Sequence, residues 1–237
     1  MELTREELLE LVGHVHRVDA MLLSDTPGDN PVDAIFFHAR SHGDYDHLFE
    51  LVTIFYRVWG GILPIGINGG DGSHRGGELT GEAWPGGYYW FTELVARGVK
   101  GEHIKWMETA FHTKAENDGF LKMAIHFGWR SAVIVSHPHQ QIRAHLGFVK
   151  SMEVGNYWMR VYPLFPRPEP SASWWKEVYA PSAMLTPDML PPPDQRMRPR
   201  FDLMPGEVLK IPEYQKKGDL ASFEDFYAYW RRRDSIR

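Results

Sequence analysis

Ser131-Ala132-Val133-Ile134-Val135-Ser136 is the stretch whose reading decides the fold, because it is the cleanest strand in the chain. A helix follows from Pro138 to Met152, opened by a proline suited to a first helical turn. Working upstream, Thr113 to Phe127 reads as a helix closed by Gly128, and Ile104 to Met107 as a short strand. A glycine-rich stretch from Asn68 to Gly87 leads into a helix running towards Arg97, with Gly98 as its C-cap. Ile62 to Ile67 is a strand weakened by Pro64 and Gly66. Asp44 to Trp59 reads as a helix, and Val32 to Phe37 as a buried strand. At the start, Leu8, Leu11, Val15, Val18 and Leu22 recur at helical spacing behind a Thr4–Glu7 capping box. Tyr157 to Tyr162 is the last strand. Alternating strands and helices imply a mostly parallel sheet covered by helices on both faces, a three-layer α/β sandwich.

Composition shifts after residue 162. Twelve of the 17 prolines lie between Pro163 and Pro212, and proline removes a backbone donor and fixes φ, so no long regular element is expected there. The segment also carries Trp174, Trp175, Tyr179, Met184 and Leu185, which is too apolar for a solvated linker. The expected organisation is therefore an α/β domain over 1–162, with a proline- and aromatic-rich arm over 163–237 that wraps onto it and ends in a helix near Ser222 to Arg231. Dimerisation through that arm is the alternative, giving a homo-oligomer.

The chain has 237 residues, 26 Lys+Arg against 31 Asp+Glu, a net charge of −5, 12 histidines and no cysteine. Lacking cysteine, it has no disulfide, thiolate zinc site, iron–sulfur cluster or cysteine nucleophile. Mild negative charge argues against a general nucleic-acid binder, which needs clustered Lys and Arg. No apolar run reaches 18 residues, and the start lacks a basic n-region and long h-region, so a cytoplasmic protein without a membrane partner is expected.

Ligands of open parallel sheets bind beyond the carboxyl ends of the strands. Four segments qualify: His38 to Asp46, Asn68 to Gly81, Glu108 to Asn117 and Ser136 to Arg143. Asn68, Gly69, Gly70 and Asp71 would form a backbone cradle for an anion, although the stretch matches neither the Walker loop nor G-x-G-x-x-G. Thr113-Lys114-Ala115-Glu116 has the form of a capping box, with Thr113 as N-cap. That helix end would offer amides to an anion, with Glu108, Glu116 and Asn117 free to bond hydroxyl or amino groups. Ser136 follows the best strand, and His139 and Arg143 share a helix face, which suits a carboxylate or phosphate. In the first segment, Arg40 is a further ligand-binding candidate. Its neighbours His38, His42, Asp44, Asp46 and His47 invite a metal reading, with Asp44 as a helix cap the rival.

Taken together, these segments resemble the YdcF/SanA/ElyC-like family over about residues 32–162. Asn68-Gly69-Gly70 stands where that family has Ser-Gly-Gly. Glu108, Thr113 and Glu116-Asn117 are similar to its Glu…Asn-Thr-x-Glu-Asn element, with one extra residue between Thr113 and Glu116. Ser136, His139 and Arg143-Ala144 are similar to its Val-Thr-Ser…His-x-x-Arg-Ala element, where either His139 or Gln140 takes the histidine position. Residues 163–237 have no counterpart. The resemblance implies a Rossmann-like α/β domain of the soluble branch and an S-adenosylmethionine-like nucleotide as ligand.

The expectation is thus a protein that binds a small anionic or nucleotide-type ligand at the strand ends. His139 and Glu116 would do acid–base work, and transfer or hydrolysis is favoured over redox chemistry. Its rivals are a metal-dependent hydrolase using the 38–47 loop and a non-catalytic interaction scaffold.

Overall fold

The computed structural model describes residues 3–38, 46–70, 86–110, 112–164 and 200–236; for 46, 47, 138, 139 and 200–206 it describes the backbone only. Five strands form one sheet: β1 (Ala34–Phe37), β2 (Ile65–Ile67), β3 (Ile104–Trp106), β4 (Ser131–Val135) and β5 (Arg160–Leu164). Their order is β3-β2-β1-β4-β5, and every pairing is parallel. The helices are α1 (Arg5–Ser24), α2 (Asp46–Val58), α3 (Gly87–Ala96), α4 (Thr113–Phe127), α5 (Pro138–Gly155), α6 (Arg200–Lys217) and α7 (Phe223–Arg232).

Side chains of a strand alternate between faces, and here that period divides the core in two. Ala34, Phe36, Ala132 and Ile134 pack with Leu11, Val18 and Leu22 of α1, Phe120 of α4, Leu146 of α5, Ile211 of α6 and Phe226 of α7. Ile35, Phe37, Val133 and Val135 pack with Phe49 and Val52 of α2 and with Trp90 and Leu94 of α3. Both faces of β1 and β4 are thus sealed, which is why their sequences are continuous apolar runs. Each of these side chains larger than alanine contributes roughly 1.5–3 kcal/mol of burial.

The strands begin and end where hydrogen bonding dictates. Asp33, expected inside the first strand, lies one residue before it. Its carboxylate accepts from the backbone N–H groups of Arg130 (2.7 Å) and Ser131 (2.8 Å) and from the Ser131 hydroxyl (2.9 Å). This clamp fixes the start of β1 against β4 across 98 residues of chain. The last strand runs to Leu164, beyond the expected limit at 162. Pro163 is tolerated because β5 is an edge strand, where a missing donor need not break a ladder.

The larger correction concerns the proline-rich region. Its C-terminal part is an 18-residue helix, α6, containing both Pro205 and Pro212. Tertiary packing on α5 outweighs the missing donors: Ile211 is buried in the core shared with α1, α5 and α7. The first helix opens as its sequence requires, with Thr4 and Glu7 capping each other reciprocally. At the far end, the Arg233 guanidinium holds the Asp25 carboxylate with two nitrogens and lies over Tyr162 and Trp230. Among the described residues, no helix is long and apolar enough to cross a membrane.

Candidate functional site

Strand order reverses direction between β1 and β4, and at such a switch point the loops leave in opposite directions and open a crevice. His38 and Ser136 are the first residues beyond those two strands, and the His38 N–H donates to Val135 O at 3.1 Å. Asn68 is the first residue beyond β2. The strand ends therefore bring residues from three of the four expected segments to one end of the sheet.

Asn68 is buried and its carboxamide is fully used. Oδ1 accepts from the N–H groups of Ala110 (3.1 Å) and Gly70 (3.2 Å); Nδ2 donates to Ala110 O (2.7 Å) and to Glu116 Oε1 (3.3 Å). It braces the β2 loop against the segment entering α4. The glycines after it serve the same closure. A Cβ on Gly69 would lie 2.1 Å from Met107 O, so this backbone crosses the β3 loop at a distance only glycine allows. The Gly70 N–H, expected to face an anion, is spent on Asn68, and Gly70 O accepts from Gly87 N at 2.5 Å.

The start of α4 departs from the expected capping box. The N-cap is His112, whose Nδ1 accepts the Ala115 N–H at 3.2 Å, so Thr113 is the first helical residue and not the cap. An imidazole does here what the threonine hydroxyl was expected to do. Glu116 is thereby freed from a capping role and turns inward. Its Oε2 lies 3.1 Å from His38 Nδ1, with both side chains buried. The His38 ring rests on Phe36, centroids 4.1 Å apart. His38 Nε2 is also buried and has no hydrogen-bond partner among the described residues. Nearby, His145 of α5 bonds Gln141 O through Nδ1 at 2.9 Å, and burial drives its pKa down to about 3, so it is neutral at ordinary pH.

A second feature adjoins this pair. A cleft of about 220 Å³ opens between α4, α5 and α6, lined by Thr113, Lys114, Asn117, Arg143 and Tyr214 among others. Asn117 is fully buried; Nδ2 makes one long contact to Ala144 O (3.4 Å), and Oδ1 has no partner among the described residues. Gly147 makes room for it, since a Cβ there would lie 2.6 Å from Asn117 Nδ2. Arg143 Nε lies 2.6 Å from Glu207 Oε2, which ties α5 to α6, and Lys114 pairs with Asp118 at 2.7 Å.

The expected residues thus divide. Thr113, Asn117 and Arg143 line one cleft, while Asn68 and Glu116 meet at His38. Ser136 is buried, its hydroxyl 3.4 Å from His137 O. Glu108 is exposed and pairs with Lys122 at 3.3 Å, away from both clusters. Its backbone follows an edge strand, so the side chain is left facing solvent. His139 lies in the first turn of α5, with its side chain outside those described; Arg40 and Asp71 lie outside the described residues. So do His42 and Asp44 of the metal reading, and the side chains of Asp46 and His47. Among the described residues, no three His, Asp or Glu side chains are grouped to hold a metal.

Sequence reasoning missed the partnership of His38 with Glu116, and also Gln141, whose Nε2 bonds Ser136 O (3.3 Å) and Leu164 O (3.1 Å). The parity of β1 carried a signal for the first: two residues after Phe36, His38 must lie on the α4 side of the sheet. Comparisons of the chain with protein-family models, with curated proteins and with solved structures find no match.

Proposed function

We propose that this protein binds a small anionic or nucleotide-type ligand at the carboxyl ends of its strands and acts on it by group transfer or hydrolysis. One observation carries the reading. Thr113 and Asn117 from α4 and Arg143 from α5 line a single cleft, and Glu116, beside Asn117, is buried against an imidazole. The first amides of α4 favour a phosphate or carboxylate, which would compete with Asp118 for Lys114 and with Glu207 for Arg143 in a cleft that Asp219 also lines. The unsatisfied Asn117 Oδ1 is an acceptor suited to a ligand N–H or O–H. An S-adenosylmethionine-like nucleotide meets these requirements, having a carboxylate and an exocyclic amine, and accords with the resemblance to YdcF-like proteins.

Calorimetric titration with S-adenosylmethionine, nucleotides and sugar phosphates tests the proposal, repeated on Arg143→Ala. Binding is expected to weaken by tenfold or more in the variant. Because Glu207 then loses its guanidinium partner, the melt should also drop, by about 1–3 kcal/mol of stability. Equal affinity in both proteins removes Arg143 from the site.

A further inference from the structure

We propose that His38 is the residue that accepts and returns a proton at this site, with Glu116 fixing its tautomer. The inference rests on the ligand-binding reading above; His38 does not itself line the cleft but is buried against Glu116, the chain neighbour of the cleft-lining Asn117. His139 is the acid–base residue expected from the sequence, and its side chain lies outside those described; the imidazole whose surroundings are described is that of His38, the first residue beyond β1.

A carboxylate only accepts hydrogen bonds, so the 3.1 Å contact to Glu116 Oε2 requires the hydrogen on His38 Nδ1. The lone pair is then on Nε2. Glu116 is itself held, because Asn68 donates to its other oxygen, and Asn68 is fixed in turn by Ala110 and Gly70. Packing on Phe36 sets the plane of the ring. A carboxylate that orients an imidazole, whose other nitrogen is buried at the switch point with no partner among the described residues, is the arrangement of a general base and its orienting acid. A purely structural role explains it poorly. Buried polar atoms are almost always bonded; Nε2 of His38, like Nε2 of His145, has no partner among the described residues, but of the two rings it is His38 whose other nitrogen is held by a carboxylate.

The step balances without any other reactant than water or a ligand hydroxyl. The O–H proton passes to Nε2, and the oxygen forms a bond to an electrophilic carbon or phosphorus of the ligand. As the bond to the leaving oxygen breaks, that oxygen takes the proton from Nε2. His38 thereby returns to its starting form, with the Glu116 carboxylate beside the transient imidazolium.

Nitrogen-15 NMR of the histidine rings in the intact protein tests this directly, alongside hydrolysis of p-nitrophenyl phosphate and p-nitrophenyl acetate. In the wild type, His38 is expected to carry hydrogen on Nδ1 and none on Nε2. In Glu116→Gln the carboxamide can turn an N–H onto Nδ1, moving the ring hydrogen to Nε2. Turnover of either ester should fall roughly 10²–10⁴-fold in Glu116→Gln and His38→Gln. A wild-type hydrogen on Nε2, or full turnover in His38→Gln, overturns the proposal. So does a shift of that nitrogen on adding zinc, which would make it a metal ligand. If neither ester is turned over, the tautomer decides alone. Arg143→Ala separates the two readings: unchanged ligand affinity sinks the cleft but leaves the His38 tautomer where it was.

Discussion

The helices on the two faces of the sheet bury different kinds of side chain. Beneath α2 and α3 the core is aromatic and aliphatic: Phe37, Phe49 and Trp90 meet within 5.4 Å of one another by centroid. The one buried polar side chain described on those two helices is Thr53, which is satisfied within its own helix by Phe49 O at 2.7 Å. On the other face the same kind of apolar floor, Phe36 stacked on Phe120 at 4.4 Å, lies under Glu116, Asn117, Gln141 and His145 of α4 and α5. Burying polar groups costs free energy that leucines would not. Equal scaffolding with unequal polarity teaches that the first face is built for packing alone, whereas the second keeps polar groups that packing does not require.

Apolar deletions should not tell the faces apart. Phe120→Ala and Trp90→Ala are each expected to cost about 3–5 kcal/mol in urea melts, since both rings are fully buried. A cost confined to one face would break the comparison. The polar pair should behave otherwise. His38→Leu leaves the Glu116 carboxylate with one partner fewer and should cost about 1–3 kcal/mol, whereas the double change to Leu at 38 and 116 should restore most of that loss. A double variant as unstable as the single one would mean the pair is a structural element after all.

A pH experiment sharpens the contrast further. His145 is pushed from 6.5 to about 3 by burial, so the unfolded chain binds the proton first as pH falls. Its contribution is fully present above about 6.5 and is lost as pH drops towards about 3. Stability should fall over that window by of order 1 kcal/mol per pH unit, and His145→Leu should flatten the curve. An unchanged slope would mean the proton is taken up elsewhere. The smallest effect is expected at Glu108→Ala, at most about 1 kcal/mol in stability and none in ligand affinity, because that exposed pair lies outside both clusters. Weakened binding there would return Glu108 to the site.

The sheet and part of the candidate site are legible in the sequence, whereas the contrast between the faces is not. The runs around Ile35 and Val133 announce a parallel sheet, and the strand-end rule directs attention to Asn68, Glu116, Asn117 and Arg143. What sequence spacing does not convey is which of two adjacent groups takes a local bond. His112 wins the cap from Thr113, and that single exchange turns Glu116 from a helix end towards His38. Nor does it convey that α6 can carry two prolines, because the compensation comes from α5, more than fifty residues upstream. Glycines after a strand suggest a backbone open to an anion, but at Gly69 and Gly70 backbone closeness and an asparagine side chain claim it first.

The clamp between Asp33 and Ser131 has a kinetic consequence. β1 lies at the centre of the sheet, yet one of its two neighbours is made 98 residues later, so the crevice between them cannot exist until most of the chain has been synthesised and docked. Binding competence should therefore be the last property acquired on refolding, appearing with the slowest phase and not with the early gain of helix.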